Sequence, residues 1–240
     1  MGRAIYDGIY KDLLDRIVDG EYAYQSFIPS EAVLVKHYDC SHNTLRRALA
    51  LLTQGGYVQP VHGKGVRVIY QQHDRTPFDM GGIETFKETA ARNDLHSVTK
   101  VQVFENFVAD ETFARTSGFT AGDELVHIDR VRVLDGSALI LDRNWFLASL
   151  VPGLTRGIAE NSIFEYIEGT LGMAIATSKR TITAERVTSV DELFLDLDDY
   201  DFLAVVTNRT FNGDGLMFEY TQSRHRPDCF SFSTVALRNV

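Results

Sequence analysis

The chain has 240 residues, enough for one large domain or two small ones, and its 44% hydrophobic and 24% charged residues exclude a wholly disordered protein. Its net charge of −9 argues at first against a polyanionic partner. Residues 1–70, however, carry eight Lys or Arg against seven Asp or Glu, so the acidity belongs to the remainder, and only the front third tolerates nucleic acid beside it. No run approaches the ~18 apolar residues of a membrane span, and Asp7 interrupts what a secretory leader would need as an apolar stretch. We therefore expect a cytoplasmic protein. Cys40 and Cys229 are too few for a disulfide scaffold or a cysteine-based zinc site, and are expected to be reduced thiols.

Apolar residues at 5, 6, 9, 10, 13, 14, 17 and 18 lie on one face of an α-helix, which Gly20 stops. Pro29-Ser30-Glu31 opens a second helix, to Tyr38, with Ser30 as cap and Glu31 at the positive end of the dipole. Ser41 caps a third, whose buried stripe is Leu45, Ala48, Leu49 and Leu52 and which ends at Gly55-Gly56. Strands at 57–61 and 66–69 enclose a tip, His62-Gly63-Lys64-Gly65, with glycines where positive φ is wanted. Residues 71–80 read as a linker between a domain at 1–70 and one at 81–240.

Beyond the linker we expect a helix at 82–92, a strand at 98–108 and a short helix from Asp110 to Ser117. Asp135-Gly136 between alternating strands, 125–134 and 138–146, is a strong hairpin signal. A helix at 163–169 capped by Ser162, a strand at 173–187, a helix at 190–195 and strands at 202–211, 216–225 and 229–237 complete the chain. Consecutive strands with short turns imply antiparallel pairing and an α+β fold.

A helix-turn-helix needs short polar groups at the start of its second helix, a basic residue one turn on and an apolar back. Ser41-His42-Asn43-Thr44-Leu45-Arg46-Arg47 supplies all three, with Arg46 or Arg47 able to grip guanine by two donors. The Gly-basic hairpin suits a wing entering the minor groove. Residues 5–69 resemble the winged-helix head of the GntR family of bacterial transcriptional regulators, through Pro29-Ser30-Glu31, the run 41–49, Gly56-Tyr57-Val58 and His62-Gly63-Lys64-Gly65. The resemblance implies DNA contacts from Ser30, Ser41, His42, Asn43, Thr44, Arg46, His62, Gly63 and Lys64. Ala32 and His42 stand where the family commonly carries Arg, which implies weaker sequence-independent affinity and a shallower salt dependence.

An anionic sugar needs convergent arginines for its charge and carboxylates for its hydroxyls. Arg130 and Arg132 share a strand face, Asp142 lies across the hairpin, and Glu219 and the run Ser223-Arg224-His225-Arg226 lie on the last hairpin. Ser162, opening a helix, offers free backbone N–H groups. Residues 82–238 resemble the UTRA effector domain of HutC-type GntR regulators, which implies a chorismate-lyase-like fold of antiparallel sheet and helices. Ile140-Leu141-Asp142-Arg143, Asn161 to Gly169 and Glu219 to Asp228 carry the likeness toward trehalose-operon repressors. This implies trehalose 6-phosphate as effector, held by Arg130, Arg132, Asp142, Ser162, Phe164, Glu219, His225 and Arg226, in a homodimer on a palindromic operator. Phe164 replaces a usual Tyr, and Gly81 stands where Ser is common.

A lyase-like enzyme using Arg130, Arg132 and Glu219, or a regulator answering another small anion, remains an alternative. No nucleophile–base pair, cofactor motif or metal-ligand spacing is seen. The acidic residues Asp191, Glu192, Asp196, Asp198, Asp199 and Asp201 match no calcium loop and read as a solvated helix edge.

Overall fold

The computed structural model describes residues 5–71, 96–232 and 236. The described residues fall into two compact units, one over 5–71 together with 232 and 236, and one over 96–231. The expected helix at 82–92 and all but the first residue of the expected linker lie outside the described residues. No helix among the described residues is long and apolar enough to cross a membrane.

The first unit packs α1 (Ile5–Val18), α2 (Glu31–His37) and α3 (His42–Gln54) around one core. Ile9, Leu13 and Ile17 of α1 meet Leu34 of α2 and Leu45, Ala48, Leu49 and Leu52 of α3, as the helical spacing requires. Each fully buried leucine contributes about 1.5–3 kcal/mol by leaving water. The hairpin β1 (Val58–Val61) and β2 (Gly65–Val68) closes the core with Val58 and Val68. Residues 25–28 run along β2, joined by Ile28 N–H to Val66 C=O at 3.0 Å and Val68 N–H to Ser26 C=O at 2.9 Å. At the tip Gly63 takes φ +71° and Gly65 +112°, values a side chain would resist.

The second unit is a six-stranded antiparallel sheet. Its strands are β3 (Ser97–Val108), β4 (Glu124–Leu134), β5 (Ser137–Leu147), β6 (Ile175–Arg186), β7 (Phe202–Asn212) and β8 (Met217–His225), in the order β3-β4-β5-β8-β7-β6. Two three-stranded meanders thus join along β5–β8, with Asp142 opposite Ser223 and Asn144 opposite Thr221. Asp135 (φ +47°) and Gly136 (φ +92°) make the expected tight turn between β4 and β5. A bulge in β3 falls between Val101, opposite Arg130, and Val103, opposite Asp129, leaving Gln102 as the extra residue.

Both sheet faces are covered. On one, Val101, Ile128 and Phe146 pack under α5 (Arg156–Glu160) and α6 (Ile163–Glu165), which continues as a π turn through Thr170. On the other, α4 (Glu111–Ser117) packs by Phe113 near Trp145 and Tyr220, and α7 (Ser189–Phe194) covers Val131, Leu141 and Val205. The expected helix at 163–169 is therefore α-helical only to Glu165. α5, too short for periodicity to reveal, is capped by Thr155, whose Oγ1 accepts from Ile158 N–H at 3.3 Å. The expected strand at 229–237 does not begin: Pro227–Cys229 forms a 3₁₀ turn, and Phe230 to Phe232 is irregular. Pro227 has no N–H for a ladder. The rest of that strand, apart from residue 236, lies outside the described residues.

Candidate DNA-reading surface and effector site

The start of α3 presents Ser41, His42 and Asn43 to solvent, with Thr44 half-buried. Ser41 caps the helix by accepting from Thr44 N–H at 3.1 Å, and its hydroxyl lies 2.8 Å from that of Thr44. Ser30 occupies the cap position of α2 without a side-chain capping bond. The structure separates the two arginines. Arg46 stays on the exposed face, where its Nε donates to Glu31 Oε2 at 3.1 Å. The guanidinium of Arg47 folds back over the Tyr6 ring, 3.9 Å from its centroid. Glu31 also lies 3.7 Å from His42 Nδ1. The sequence reading assigned Glu31 only to the helix dipole; its place between two side chains of another helix is visible only in three dimensions. His62, Gly63 and Lys64 are exposed at the hairpin tip.

In the second unit, alternation along β4, β5 and β8 sends Arg130, Arg132, Asp142, Asn144, Glu219, Thr221, Ser223 and His225 to one face, beside the patch under α5 and α6. All but Ser223 are buried. Arg132 donates from Nε to Asp142 Oδ2 at 2.8 Å and from a terminal nitrogen to Thr99 Oγ1 at 2.6 Å. Ser223 donates to the other Asp142 oxygen. Arg130 donates from Nε to Asn144 Oδ1 at 3.1 Å. Asn144 donates to Thr221 Oγ1 at 2.8 Å, and Thr221 donates to Glu219 at 2.8 Å.

These contacts set the charges. Burial alone would raise the Asp142 carboxyl, but the guanidiniums of Arg132 and Arg130 outweigh it and hold it at about 2. Burial pushes Glu219 above the usual carboxylate range, against hydrogen bonds from Thr210 and Thr221 and the charge of Arg130. Burial lowers His225 to about 4 in spite of Asp142, so its ring is neutral near pH 7. Arg130 falls to about 9, through burial and the like charge of Arg132. Two cations thus meet one settled anion.

Ser162 and Phe164 lie where the short helix opens over this face. Ser162 Oγ accepts from Glu165 N–H at 3.2 Å, and Phe164 packs with the apolar patch. Arg226 departs from the expected set. The chain leaves β8 after His225, and the Arg226 guanidinium is taken up by Asp228 through two bonds, at 2.8 and 2.9 Å, by Asp198 at 2.7 Å and by the Asp196 carbonyl at 2.6 Å. The acidic stretch is likewise not a solvated edge throughout. Asp191 is fully buried, forms a capping box with Thr188 and pairs with Arg224 Nε at 2.7 Å on the opposite sheet face. Thr99, Asn144 and Thr221 were missed; the period of two through Asp142 and through Glu219 to Ser223 was the signal that reaches the last two.

This head and this sheet have known counterparts. Residues 5–68 match the model of the bacterial regulatory proteins of the gntR family, and residues 93–231 match the UTRA domain model. The chain belongs to the GntR family. It is 38% identical over 230 residues, 96% of each chain, to the HTH-type transcriptional regulator TreR of Bacillus subtilis. The solved effector-binding domain of the B. subtilis trehalose repressor is 40% identical, covers 60% of this chain and 99% of that one, and superposes with a TM-score of 0.54. The possible regulator YydK of B. subtilis shares the fold at 20% identity, covering 98% of this chain and 100% of that one, with a TM-score of 0.79. This GntR protein is therefore a transcriptional regulator with a helix-turn-helix head and a UTRA domain.

Proposed function

We propose that this GntR regulator represses a trehalose-utilisation operon and is released from its operator by trehalose 6-phosphate. The observation that carries the effector class is Arg130: a residue only 8% exposed, with no carboxylate in ion-pairing distance among the described residues. A buried cation without a counter-ion is costly unless an anion arrives. Asp142 and Glu219 nearby suit the hydroxyls of a sugar, Asp142 as acceptor and Glu219, with its raised affinity for a proton, as donor. The 38% identity to a TreR protein supports trehalose 6-phosphate over other sugar phosphates. Ser162, Phe164 and His225 belong to the same pocket in this reading, whereas Arg226, committed to Asp228 and Asp198, is left out of it.

In this reading Ser30, Ser41, His42, Asn43, Thr44, Arg46 and the wing residues His62, Gly63 and Lys64 contact the operator, phosphates for position and bases for sequence. Arg47, stacked on Tyr6, steadies the head and reads no base. Two copies related by a two-fold axis address the half-sites of a palindrome in the cytoplasm. Effector and operator oppose each other through a coupling of about 1–3 kcal/mol. Fluorescence anisotropy of a labelled operator tests this: trehalose 6-phosphate is expected to weaken binding about 5–150-fold, and unchanged affinity at millimolar ligand removes it as effector. Thermal-shift measurements across other sugar phosphates then identify the anion the pocket takes.

A further inference from the structure

Arg130 and Arg132 share a sheet face two residues apart, yet they are partnered by opposite chemistry. Arg132 meets the Asp142 carboxylate at 2.8 Å. Arg130 meets a neutral amide, Asn144 Oδ1, at 3.1 Å. That amide cannot be turned round: arginine offers only donors, so Oδ1 must face it, and Nδ2 is committed to Thr221 at 2.8 Å and Glu219 at 3.4 Å. A carboxylate of the same shape would fit the Arg130 side of position 144, and position 142, one pleat away on β5, has one. A buried arginine with a purely structural role looks different in this molecule. Arg224, on the other face, spends Nε on Asp191, one terminal nitrogen on Glu185 and the other on the Arg186 carbonyl.

We propose that Asn144 is a positioning residue that reserves Arg130 for an external anion, holding the guanidinium by Nε with no direct ion pair among the described residues and leaving its two terminal nitrogens uncommitted. This rests on the anion-pocket reading of the site. The held Nε fixes the guanidinium plane, so a phosphate meets a forked donor already oriented. Arg132, neutralised by Asp142, supports the site without being its principal anion ligand. The Asn144–Thr221–Glu219 chain ties that orientation to the hydroxyl-binding end, so the charged and sugar-like parts of one ligand meet a single framework.

The test is calorimetric titration of the full chain with inorganic phosphate and with trehalose 6-phosphate. In Asn144→Asp the new carboxylate takes Arg130, and affinity for both anions is expected to fall about 30-fold. In Asn144→Ala the tether is lost but the charge stays free, and the fall is expected to be only about 3-fold. An isosteric change that harms more than a truncation is the signature, because a residue that merely supported packing would show the reverse order. Asn144→Asp binding like the wild type, or Asn144→Ala binding more weakly than Asn144→Asp, overturns the proposal. Wild-type protein that titrates neither anion overturns the pocket reading itself, and this proposal with it. Should Asn144→Asp fail to fold, Asp142→Asn gives the converse: it takes the carboxylate away from Arg132, and inorganic phosphate is expected to bind about 10-fold more tightly. Unchanged or weaker phosphate binding there counts against the proposal.

Discussion

The recognition helix and the sheet cluster use the same side chains in opposite surroundings. Around α3, Arg46 and Glu31 form an ion pair with side chains 65% and 37% exposed, and His42 stands beside them. In the sheet, Arg132 and Asp142 form one with side chains 6% and 11% exposed. An exposed pair is worth about 0–1 kcal/mol and is easily exchanged. Arg46 can therefore leave Glu31 for a base or a phosphate at little cost. Buried groups are fixed by their neighbours, so a ligand meets donors already in place and loses less entropy in ordering them. One surface suits many successive contacts along a duplex; the other suits a single small molecule.

This contrast ranks the expected effects of mutation. Asp191→Ala strips a fully buried carboxylate from Arg224 and uncaps α7, and is expected to cost about 3–5 kcal/mol in urea unfolding. A cost below about 1 kcal/mol would mean that Glu185 alone satisfies Arg224. Arg130→Ala is expected to weaken trehalose 6-phosphate binding about 100-fold or more by calorimetry. It should leave operator affinity intact and change stability little, since among the described residues the lost cation makes no direct ion pair. If the ligand still binds normally, the pocket has been misplaced.

His225 sharpens the contrast through pH. Its folded ring resists protonation until about pH 4, whereas an unfolded histidine takes a proton near 6.5. Protonation therefore favours the unfolded chain; stability from the neutral ring is complete above about pH 6.5 and lost as pH falls toward 4. His127 acts in the opposite sense. Burial lowers it, but its bonds to Asp129 and Glu105 prevail and raise it, so its contribution is full below about 6.5 and fades as pH rises through its folded value. The informative quantity is thus a difference: between pH 7 and pH 5, His225→Asn should lose about 2 kcal/mol less stability than wild type. Parallel pH profiles would show that His225 protonates in the folded chain.

Exposed changes come last. Arg46→Ala is expected to weaken operator binding about 10-fold in anisotropy, with almost no change in melting temperature. Arg47→Ala should change operator binding less than about 3-fold while losing its stacking on Tyr6, about 0.5–1 kcal/mol. Should Arg47→Ala prove the more damaging to DNA binding, the assignment of the two arginines must be exchanged.

Much of this was legible in the sequence because it was local. Helix α1 follows the apolar spacing from Ile5 to Val18, Ser41 caps α3 as its position demands, and Asp135-Gly136 makes the turn its composition specifies. What was not legible depends on distant partners. The seam between β5 and β8 joins residues some eighty positions apart, and the site straddles it. Asn144 is an unremarkable strand amide until Arg130 and Thr221 flank it. Arg224 and Arg226 look alike in a basic run, yet one enters a buried pair and the other follows the chain into a 3₁₀ turn ringed by carboxylates. Arg46 and Arg47 differ by the 100° that separates neighbours on a helix, and only the placement of α1 decides which is occupied.

The extra residue in β3 carries a consequence of its own. Before Gln102, Thr99 and Val101 lie on the Arg130–Arg132 side of the sheet; after it, Phe104 does, so the alternation has slipped by one. That slip lets one strand serve two trades, with the Thr99 hydroxyl on Arg132 and the Phe104 ring among the side chains beneath α5 and α6. A regular ladder that paired Gln102 instead of bulging it would force a choice between them. If the ring keeps its seat, the hydroxyl swings to the far side and Arg132 loses its second anchor. The edge strand therefore works as a geared rod between helix packing and the arginine pair, and its gear ratio is set by a single glutamine.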